Sequence, residues 1–219
     1  WSFETSPTNQ PGADYIMVKP LKGFAGRDDM VAYCDAVATE ADAKLVVQDA
    51  PEMTGVQLSF VDLAELVGTC RSIAALKIEP LDGAPDKIDK VRAALPRAVP
   101  VFGGNGARDL LGELDAGVSG TMPFVALAPE IAAINSLYRS GDEAAASSRF
   151  DLLQRGIDSS LVDITVALTV FKRLLAERGV FRSDRVRRPG DRLTPVQARF
   201  VERAMDEFRN VLSSASAGQ

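Results

Sequence analysis

A lysine inside an apolar run is the side chain of this sequence with the clearest chemical use. Lys77 lies near the C-terminal end of Ile73–Glu79, a run typical of a buried strand. Strand alternation places Ala75, Lys77 and Glu79 on one face. A buried lysine is costly to keep charged, and a neutral amine can attack a carbonyl carbon to form a Schiff base. The competing interpretation is a strand-end lysine that reaches solvent or pairs with Glu79.

Polar side chains also follow the ends of neighbouring apolar runs. Gln48 and Asp49 close the run Lys44–Asp49, and polar residues at the C-terminal ends of parallel strands usually face the ligand crevice. Asp49 is therefore a candidate acid, base or orienting group, with a loop cap as the alternative. Lys19 and Lys22, at the end of the first run, either bind an anion or remain solvated.

Two segments rich in small residues are further candidates. The turn Gly103–Gly106 joins an apolar run to a helix-like segment, and its glycines let the backbone approach a ligand closely. The following helix N-terminus offers N–H groups to an anion such as phosphate, although an ordinary strand-to-helix turn explains the pattern equally well. Ser119 and Thr121 can donate hydrogen bonds to a ligand or serve in packing.

The composition excludes several kinds of site. The 219 residues include no histidine, so proton transfer must use lysine, tyrosine, carboxylates or water. A net charge of −5 disfavours a nucleic-acid surface, and no apolar run approaches the ~20 residues of a membrane span. Two cysteines, Cys34 and Cys70, make no disulfide framework and suit a reducing cytosol. We therefore expect a soluble, cytoplasmic protein without a metal site or cofactor.

Alternating strands and helices position these residues. Strand starts recur every ~20–30 residues, which is the spacing of βα units in parallel α/β proteins. Thr194 and Pro195 form a clear helix start, and Gly179 is typical of a helix end. The predicted strands are Asp14–Lys19, Lys44–Asp49, Ile73–Glu79, Val99–Gly103 and Val118–Met122. The predicted helices are Arg27–Ala41, Ser59–Cys70, Asp86–Leu95, Ala107–Leu114, Glu130–Arg139, Glu143–Arg155, Leu161–Arg178 and Pro195–Leu212.

The number of strands leaves two architectures open. A (β/α)8 barrel usually needs ~250 residues, so five strands predict either an open doubly wound sheet or a barrel that lacks its first units. Residues 1–11 are polar and rich in turn formers, and cannot supply three βα units. The basic stretch Arg182–Arg192 is expected to be a solvated connector, with phosphate binding as the alternative.

Several motifs in this order resemble the dihydrodipicolinate synthase / N-acetylneuraminate lyase family. They are GADYIMVKP, VVQDAPEMTGVQLS, IAALKIEP and VPVFGGNGARDLLGELDAGVSGTMPFVALAPE, followed by LYRSGDEAAA and a late RRP. The resemblance implies a TIM barrel with C-terminal helices, of which strands 4–8 are present: residues 1–129 form a partial barrel and residues 130–219 a helical region packed on it. It also implies that Lys77 is the Schiff-base lysine for pyruvate or another 2-keto acid, and that the protein is a homo-oligomer, either a dimer or a tetramer.

The sequence departs from the family pattern in its proton machinery. Where the family's fifth strand commonly ends in tyrosine and asparagine, this chain has Gln48 and Asp49. Glutamine cannot titrate, so the usual tyrosine relay is missing. Met53 aligns with an arginine of true synthases, which argues against activity in lysine biosynthesis, and a second tyrosine is replaced near Lys22. The first three strands, with the family's carboxylate-gripping loop, are also missing, so we expect a longer native chain.

Besides a phosphate-binding barrel enzyme that uses the turn Gly103–Gly106, two functions are compatible with this pattern. The first is a Schiff-base-forming lyase, aldolase or dehydratase in which Lys77 is the nucleophile and Asp49, Glu79 or water moves protons. The second is a binding or regulatory protein that keeps the scaffold without turnover. In either case the expected pocket-lining residues are Gln48, Gly103, Gly104, Asn105, Ser119 and Thr121.

Overall fold

The chain folds as two compact units. A computed structural model describes residues 13–186 and 193–216, with side chains described as far as residue 211. The first unit contains the described residues up to Asn105 together with Gly112–Met122. The second contains Gly106–Leu111 and the described residues from Pro123 onward. The first unit holds a parallel sheet, and the second holds the C-terminal helices, so the fold is mixed α/β as predicted.

The sheet has five strands that lie side by side in chain order, and every neighbouring pair is parallel. Parallel neighbours need crossover connections, which helices largely provide here. A doubly wound sheet reverses its strand order at a switch point, and the described strands show no such reversal. The strands are β1 (Tyr15–Val18), β2 (Lys44–Asp49), β3 (Ile73–Ile78), β4 (Val101–Gly103) and β5 (Gly120–Thr121).

The helices between the strands follow the amphipathic pattern of the sequence. α3 begins after a capping box, in which the Ser59 hydroxyl accepts from the Asp62 N–H and the Asp62 carboxylate accepts from the Ser59 N–H. Its buried face includes Leu63, Leu66 and Val67. The helices are α1 (Arg27–Ala41), α2 (Pro51–Thr54), α3 (Phe60–Thr69), α4 (Ala84–Ala94) and α5 (Leu110–Asp115).

The first strand is only partly buried. Tyr15 is 55% exposed and Met17 is 45% exposed, and Val18 alone of the four strand residues is buried. β1 lies at the edge of the described sheet, where it has one hydrogen-bonded neighbour, β2. β2 and β3 lie inside the sheet, and all of their apolar residues except Ala74 are buried.

The segment after β4 differs from the predicted helix Ala107–Leu114. Asn105, Gly106 and Ala107 all have positive φ values, of 50°, 65° and 67°, which a right-handed α-helix cannot contain. These three residues form a short 3-10 turn, and α5 starts only at Leu110. The predicted strand Val118–Met122 likewise shortens to two residues, Gly120–Thr121.

The second unit is helical. α8 starts at Ile164, later than predicted, because the Asp163 carboxylate caps the N–H groups of Thr165 and Val166. The predicted start of α9 is confirmed, since the Thr194 hydroxyl accepts from the Gln197 N–H. The helices, preceded by a 3-10 turn at Val125–Leu127, are α6 (Ala128–Arg139), α7 (Glu143–Ser160), α8 (Ile164–Glu177) and α9 (Pro195–Ser216).

An aromatic cluster lies in the core of this second unit. The rings of Phe124 and Phe171 stack with centroids 4.3 Å apart, and Phe208 lies 6.0 Å from Phe171. Gly156 of α7 faces the Phe208 ring so closely that a Cβ atom there would lie 2.6 Å from a ring carbon. A glycine at this position therefore lets α7 and α9 pack tightly around a buried phenylalanine.

Some sequence predictions fall on residues outside the described part of the chain. These include the polar segment 1–11 and most of the basic stretch, residues 187–192. Within the described residues, no helix combines the length and the apolar character needed to cross a membrane. The division into residues 1–129 and 130–219 stays a prediction.

Candidate active site

Lys77 lies in the middle of the sheet, near the C-terminal end of β3. Its neighbours in register are Gln48 on β2 and Phe102 on β4. Residues paired in register on parallel strands point to the same face, so these three side chains share one face of the sheet. The Lys77 side chain is only 12% exposed, which places a reactive amine in a largely buried position.

Glu79 directly contacts this amine. Lys77 Nζ lies 3.0 Å from Glu79 Oε1 and 2.9 Å from Glu79 Oε2, and the carboxylate side chain is 8% exposed. The prediction that alternation brings Lys77 and Glu79 to one face is therefore confirmed. The contact is the ion pair of the competing interpretation, and it is also the geometry in which a carboxylate can take a proton from an amine.

Two further donors hold the Glu79 carboxylate. The Gln48 side-chain amide donates to Oε1, and the Asn105 backbone N–H donates to Oε2 at 2.9 Å. Three donors from two strands and a turn therefore converge on one carboxylate. A group held from three directions keeps one orientation toward Lys77, which is the kind of preorganisation that a proton-transfer group needs.

The glycine-rich turn reaches this group through its backbone. Asn105 adopts a left-handed conformation and donates its side-chain amide to the Pro80 carbonyl at 2.8 Å. Gly104 faces Glu79, and a Cβ atom on it would lie 2.8 Å from Glu79 Cβ. Glycine is therefore required at position 104 by the close approach of the Glu79 side chain.

Two backbone amides of the turn, those of Gly104 and Asn105, already donate to carboxylates. The Gly104 N–H donates to Glu113 Oε1 at 3.2 Å, and the Asn105 N–H donates to Glu79. Both acceptors are carboxylates, which would repel an incoming anion. The geometry thus argues against the phosphate-binding interpretation of this turn.

Asp49 lies on the opposite face of β2 from Gln48. Its carboxylate is fully buried, and the Lys87 ammonium of α4 lies 2.7 Å from Oδ2. Burial raises the pKa of Asp49 above its ordinary value, and the neighbouring Lys87 charge offsets this only in part. The structure therefore does not bring Asp49 into the group around Lys77, and its predicted catalytic role stays a prediction.

Strand register also separates the other predicted pocket residues. Phe102, the register partner of Lys77, pairs with Gly120, whereas Thr121 pairs with Gly103. Alternation thus places Gly103 and Thr121 on the face opposite Lys77. Ser119 is exposed just before β5. The pocket-lining roles of Gly103, Ser119 and Thr121 stay predictions, and Gln48, Gly104 and Asn105 are the predicted binding residues that lie at Glu79.

Lys19 and Lys22 are both exposed after β1. The Lys19 ammonium lies 3.2 Å from the sulfur of Met53. The described contact of Lys19 is therefore with helix α2.

Sequence reasoning missed two charged residues near these strands. Glu113 on α5 is fully buried against Gly103 and Gly104, and Lys87 on α4 pairs with Asp49. A signal was available in both cases, because each lies three residues after a buried apolar residue and so on the inward face of its helix. A charged residue at such a position indicates a buried partner.

The sequence model of the Dihydrodipicolinate synthetase family matches residues 5–207 of the chain. The chain belongs to this family. The resemblance stated above on motifs alone is thereby confirmed. No curated protein matches the sequence significantly.

Solved structures of dihydrodipicolinate synthases share the fold of this family member. The enzyme from Rhodopseudomonas palustris is 25% identical, with a TM-score of 0.79 over 90% of this chain and 66% of its own. The 4-hydroxy-tetrahydrodipicolinate synthase of Methylacidiphilum fumariolicum SolV is 18% identical, with a TM-score of 0.78 over 94% of this chain and 68% of its own. The Aquifex aeolicus synthase is 18% identical, with a TM-score of 0.76 over 90% of this chain and 67% of its own.

This member of the Dihydrodipicolinate synthetase family thus spans about two thirds of the length of the structures that it matches. The family consists of lyase- and synthase-type enzymes, and the lysine–carboxylate pair described above lies within the matched region.

Proposed function

We propose that the protein is a Schiff-base-forming lyase, aldolase or dehydratase that acts on pyruvate or another 2-keto acid. One observation carries the proposal: the largely buried amine of Lys77 lies 2.9 Å and 3.0 Å from the two oxygens of Glu79, a carboxylate fixed by two further donors. An amine of this kind needs a neighbouring base to lose its proton before it can attack a carbonyl group.

The chemistry assigns one role to each of these two groups. Glu79 accepts a proton from the Lys77 ammonium, and the neutral amine adds to the C2 carbonyl carbon of the keto acid. One nitrogen proton moves to the former carbonyl oxygen to give the carbinolamine, and the proton held by Glu79 then passes to this hydroxyl group. The hydroxyl leaves as water, and the nitrogen, which keeps its last proton, forms a protonated imine. The protonated imine withdraws electrons from C3, so that a C3–H or C3–C4 bond can break.

We also propose that β1–β5 correspond to strands 4–8 of a TIM barrel, with residues 1–129 as the partial barrel and residues 130–219 as a helical region. The sequential parallel order of the five strands and the likeness to synthase structures support this assignment. In a TIM barrel the active site lies at the C-terminal ends of the strands, where Lys77 and Gln48 are found. The proposal includes a homo-oligomer, as a dimer or a tetramer.

A second candidate function is a keto-acid-binding protein without turnover. Gln48 favours it, because this amide occupies the position of the family's relay tyrosine and donates to Glu79 rather than moving a proton. Both functions predict that a keto acid stabilises the folded protein. They differ in the chemistry of the bound ligand: only the enzyme would exchange protons of the keto acid with solvent or break one of its carbon–carbon bonds.

Proton exchange in heavy water separates the two functions. An enzyme of the proposed kind interconverts the pyruvate imine and its enamine, which replaces the methyl hydrogens of pyruvate by deuterium in a reaction that proton NMR follows. We expect this exchange in the native protein and its loss in Lys77→Arg, because a guanidinium cannot form the imine. Thermal stabilisation by pyruvate without any exchange would instead support the binding protein.

A further inference from the structure

Glu113 is a buried carboxylate to which the reaction proposed above assigns no part. It is fully buried on α5, and its Oε1 accepts the Gly104 N–H at 3.2 Å. The carboxylate also fills the space where Gly103 has no side chain, since a Cβ atom there would overlap both carboxylate oxygens. Two successive glycines therefore accommodate two carboxylates, Glu113 at Gly103 and Glu79 at Gly104.

The backbone links these two carboxylates. The Gly104 N–H donates to Glu113, and the next N–H along the chain, that of Asn105, donates to Glu79. Asn105 has a φ of 50°, in the left-handed region, which asparagine adopts more readily than most non-glycine residues. The hydrogen bond from the Gly104 N–H to Glu113 and the Asn105 side-chain bond to Pro80 hold the turn on its two sides.

We propose that Glu113 is a positioning residue for the proton transfer at Lys77. By accepting the Gly104 N–H, it fixes the turn so that the Asn105 N–H points at Glu79, and this bond in turn orients Glu79 toward the Lys77 amine. The inference rests on the proposed function, because Glu79 must act as the proton-transfer group. The contact through which Glu113 acts in this proposal is with the turn, at the Gly104 N–H.

The proposal predicts a change in rate with little change in binding. Glu79 acts in proton transfer, so a loosened turn slows the exchange of pyruvate methyl hydrogens at saturating pyruvate. We expect Glu113→Met, which removes the acceptor, to lower this rate about tenfold or more, because a misplaced proton-transfer group costs rate steeply. The pyruvate concentration at half-saturation should change less than about twofold, since the turn would still present the same groups to the ligand.

A conservative variant and an exposed control make the test specific. Glu113→Gln keeps a side-chain oxygen for the Gly104 N–H and should retain at least about half of the native rate. Asp115→Asn changes an exposed carboxylate on the same helix and should match the native protein. If Glu113→Met does not fold, Gly103→Ala serves instead, because its added Cβ displaces the Glu113 carboxylate from the turn.

An NMR readout separates this inference from the proposed function. Hydrogen exchange of the Asn105 amide should be slow in the native protein and in Glu113→Gln, and faster in Glu113→Met or Gly103→Ala. Unchanged exchange at Asn105 would overturn the positioning role, whatever the catalytic result. If the native protein shows no pyruvate exchange, the proposed function fails, while the Asn105 measurement still decides whether Glu113 holds the turn.

Discussion

Two lysine–carboxylate pairs occupy opposite faces of the sheet, and their surroundings differ. Lys77 pairs with Glu79, and Lys87 pairs with Asp49. Glu79 accepts three hydrogen bonds, so its charge is compensated from several sides. Asp49 is fully buried, and the described contact of its carboxylate is with Lys87. The first pair is suited to chemistry and the second to holding α4 against the sheet.

Asp49 gives a pH-dependent contribution to stability whose sign follows from its surroundings. Burial raises the pKa of Asp49 in the folded state, so the folded protein holds this proton more tightly than the unfolded chain does. Stability from this source is fully present below the ordinary carboxyl pKa of about 4 and is lost as pH rises through the raised folded value. We therefore expect the free energy of unfolding of the native protein, minus that of Asp49→Asn, to fall as pH rises above about 4. Urea unfolding at a series of pH values measures this difference.

Asp82→Asn provides the control for that titration, because Asp82 is exposed in the loop before α4. A native-minus-variant difference at Asp49 that rises with pH would show that the Lys87 charge outweighs burial. The assigned direction of the pKa would then be wrong.

The sequence identified individual residues where a short-range rule applied. The alternation of side chains along a strand predicted that Lys77 and Glu79 share one face. The position of Gln48 at the end of a strand predicted that it faces the site. Both predictions depend only on local spacing. The Glu113–Gly104 and Lys87–Asp49 contacts depend on how a helix and a sheet meet, which local spacing cannot give. The same limit applies to Thr121, because the face on which it lies depends on strand register.

The turn after β4 is the element on which the site depends most. Gly104→Ala would put a Cβ 2.8 Å from Glu79 Cβ and closer still to a carboxylate oxygen, so Glu79 must move. We expect a loss of about 1–3 kcal/mol in unfolding free energy, together with slower pyruvate exchange. Gly120→Ala is the matched control, because its added Cβ would meet the Phe102 ring at an ordinary 3.7 Å. Denaturant unfolding of both variants tests this, and equal losses would contradict the close-approach argument.

Arg97 joins the end of α3 to the start of β3. Its guanidinium donates to the carbonyl groups of Val67, Cys70 and Ile73, at 3.1, 3.2 and 2.6 Å. Arg97→Met leaves these partly buried acceptors without this donor, so we expect a loss of about 2 kcal/mol in unfolding free energy. Arg71→Met, an exposed arginine in the adjoining loop, should cost less than about 0.5 kcal/mol. Chemical denaturation of the two variants measures the difference in unfolding free energy. A loss for Arg97→Met as small as that for Arg71→Met would show that water replaces the guanidinium as the donor to these carbonyl groups.

Most elements could be predicted because each carries a local signal. Apolar periodicity gave α1 with its observed ends, and the Ser59 and Thr194 caps marked the starts of α3 and α9. The turn at Asn105 could not be predicted, because its left-handed backbone depends on tertiary partners such as Glu79, Glu113 and Pro80. The edge position of β1 was also missed, since an apolar run looks the same at the edge and in the middle of a sheet.

The order of motifs along the chain was more informative about the whole molecule than any single element. Five parallel strands in sequential order, followed by helices, agree with the family to which the chain belongs. The family resemblance indicates Lys77 as the reactive lysine. Of the three proton-transfer candidates that the sequence offers, which are Asp49, Glu79 and water, the structure places the Glu79 carboxylate next to the Lys77 amine.

Borohydride trapping tests the central claim of a Schiff base at Lys77 most directly. The protein is incubated with pyruvate, reduced with borohydride and analysed by intact mass and by peptide mass. We expect one adduct of about 72 Da on the peptide that contains Lys77, because reduction fixes the imine as a secondary amine. Lys87→Arg should retain the adduct, since Lys87 pairs with Asp49 on the other face, and Lys77→Arg should lose it. No adduct with pyruvate or any other 2-keto acid, or an adduct that survives in Lys77→Arg, would contradict the account.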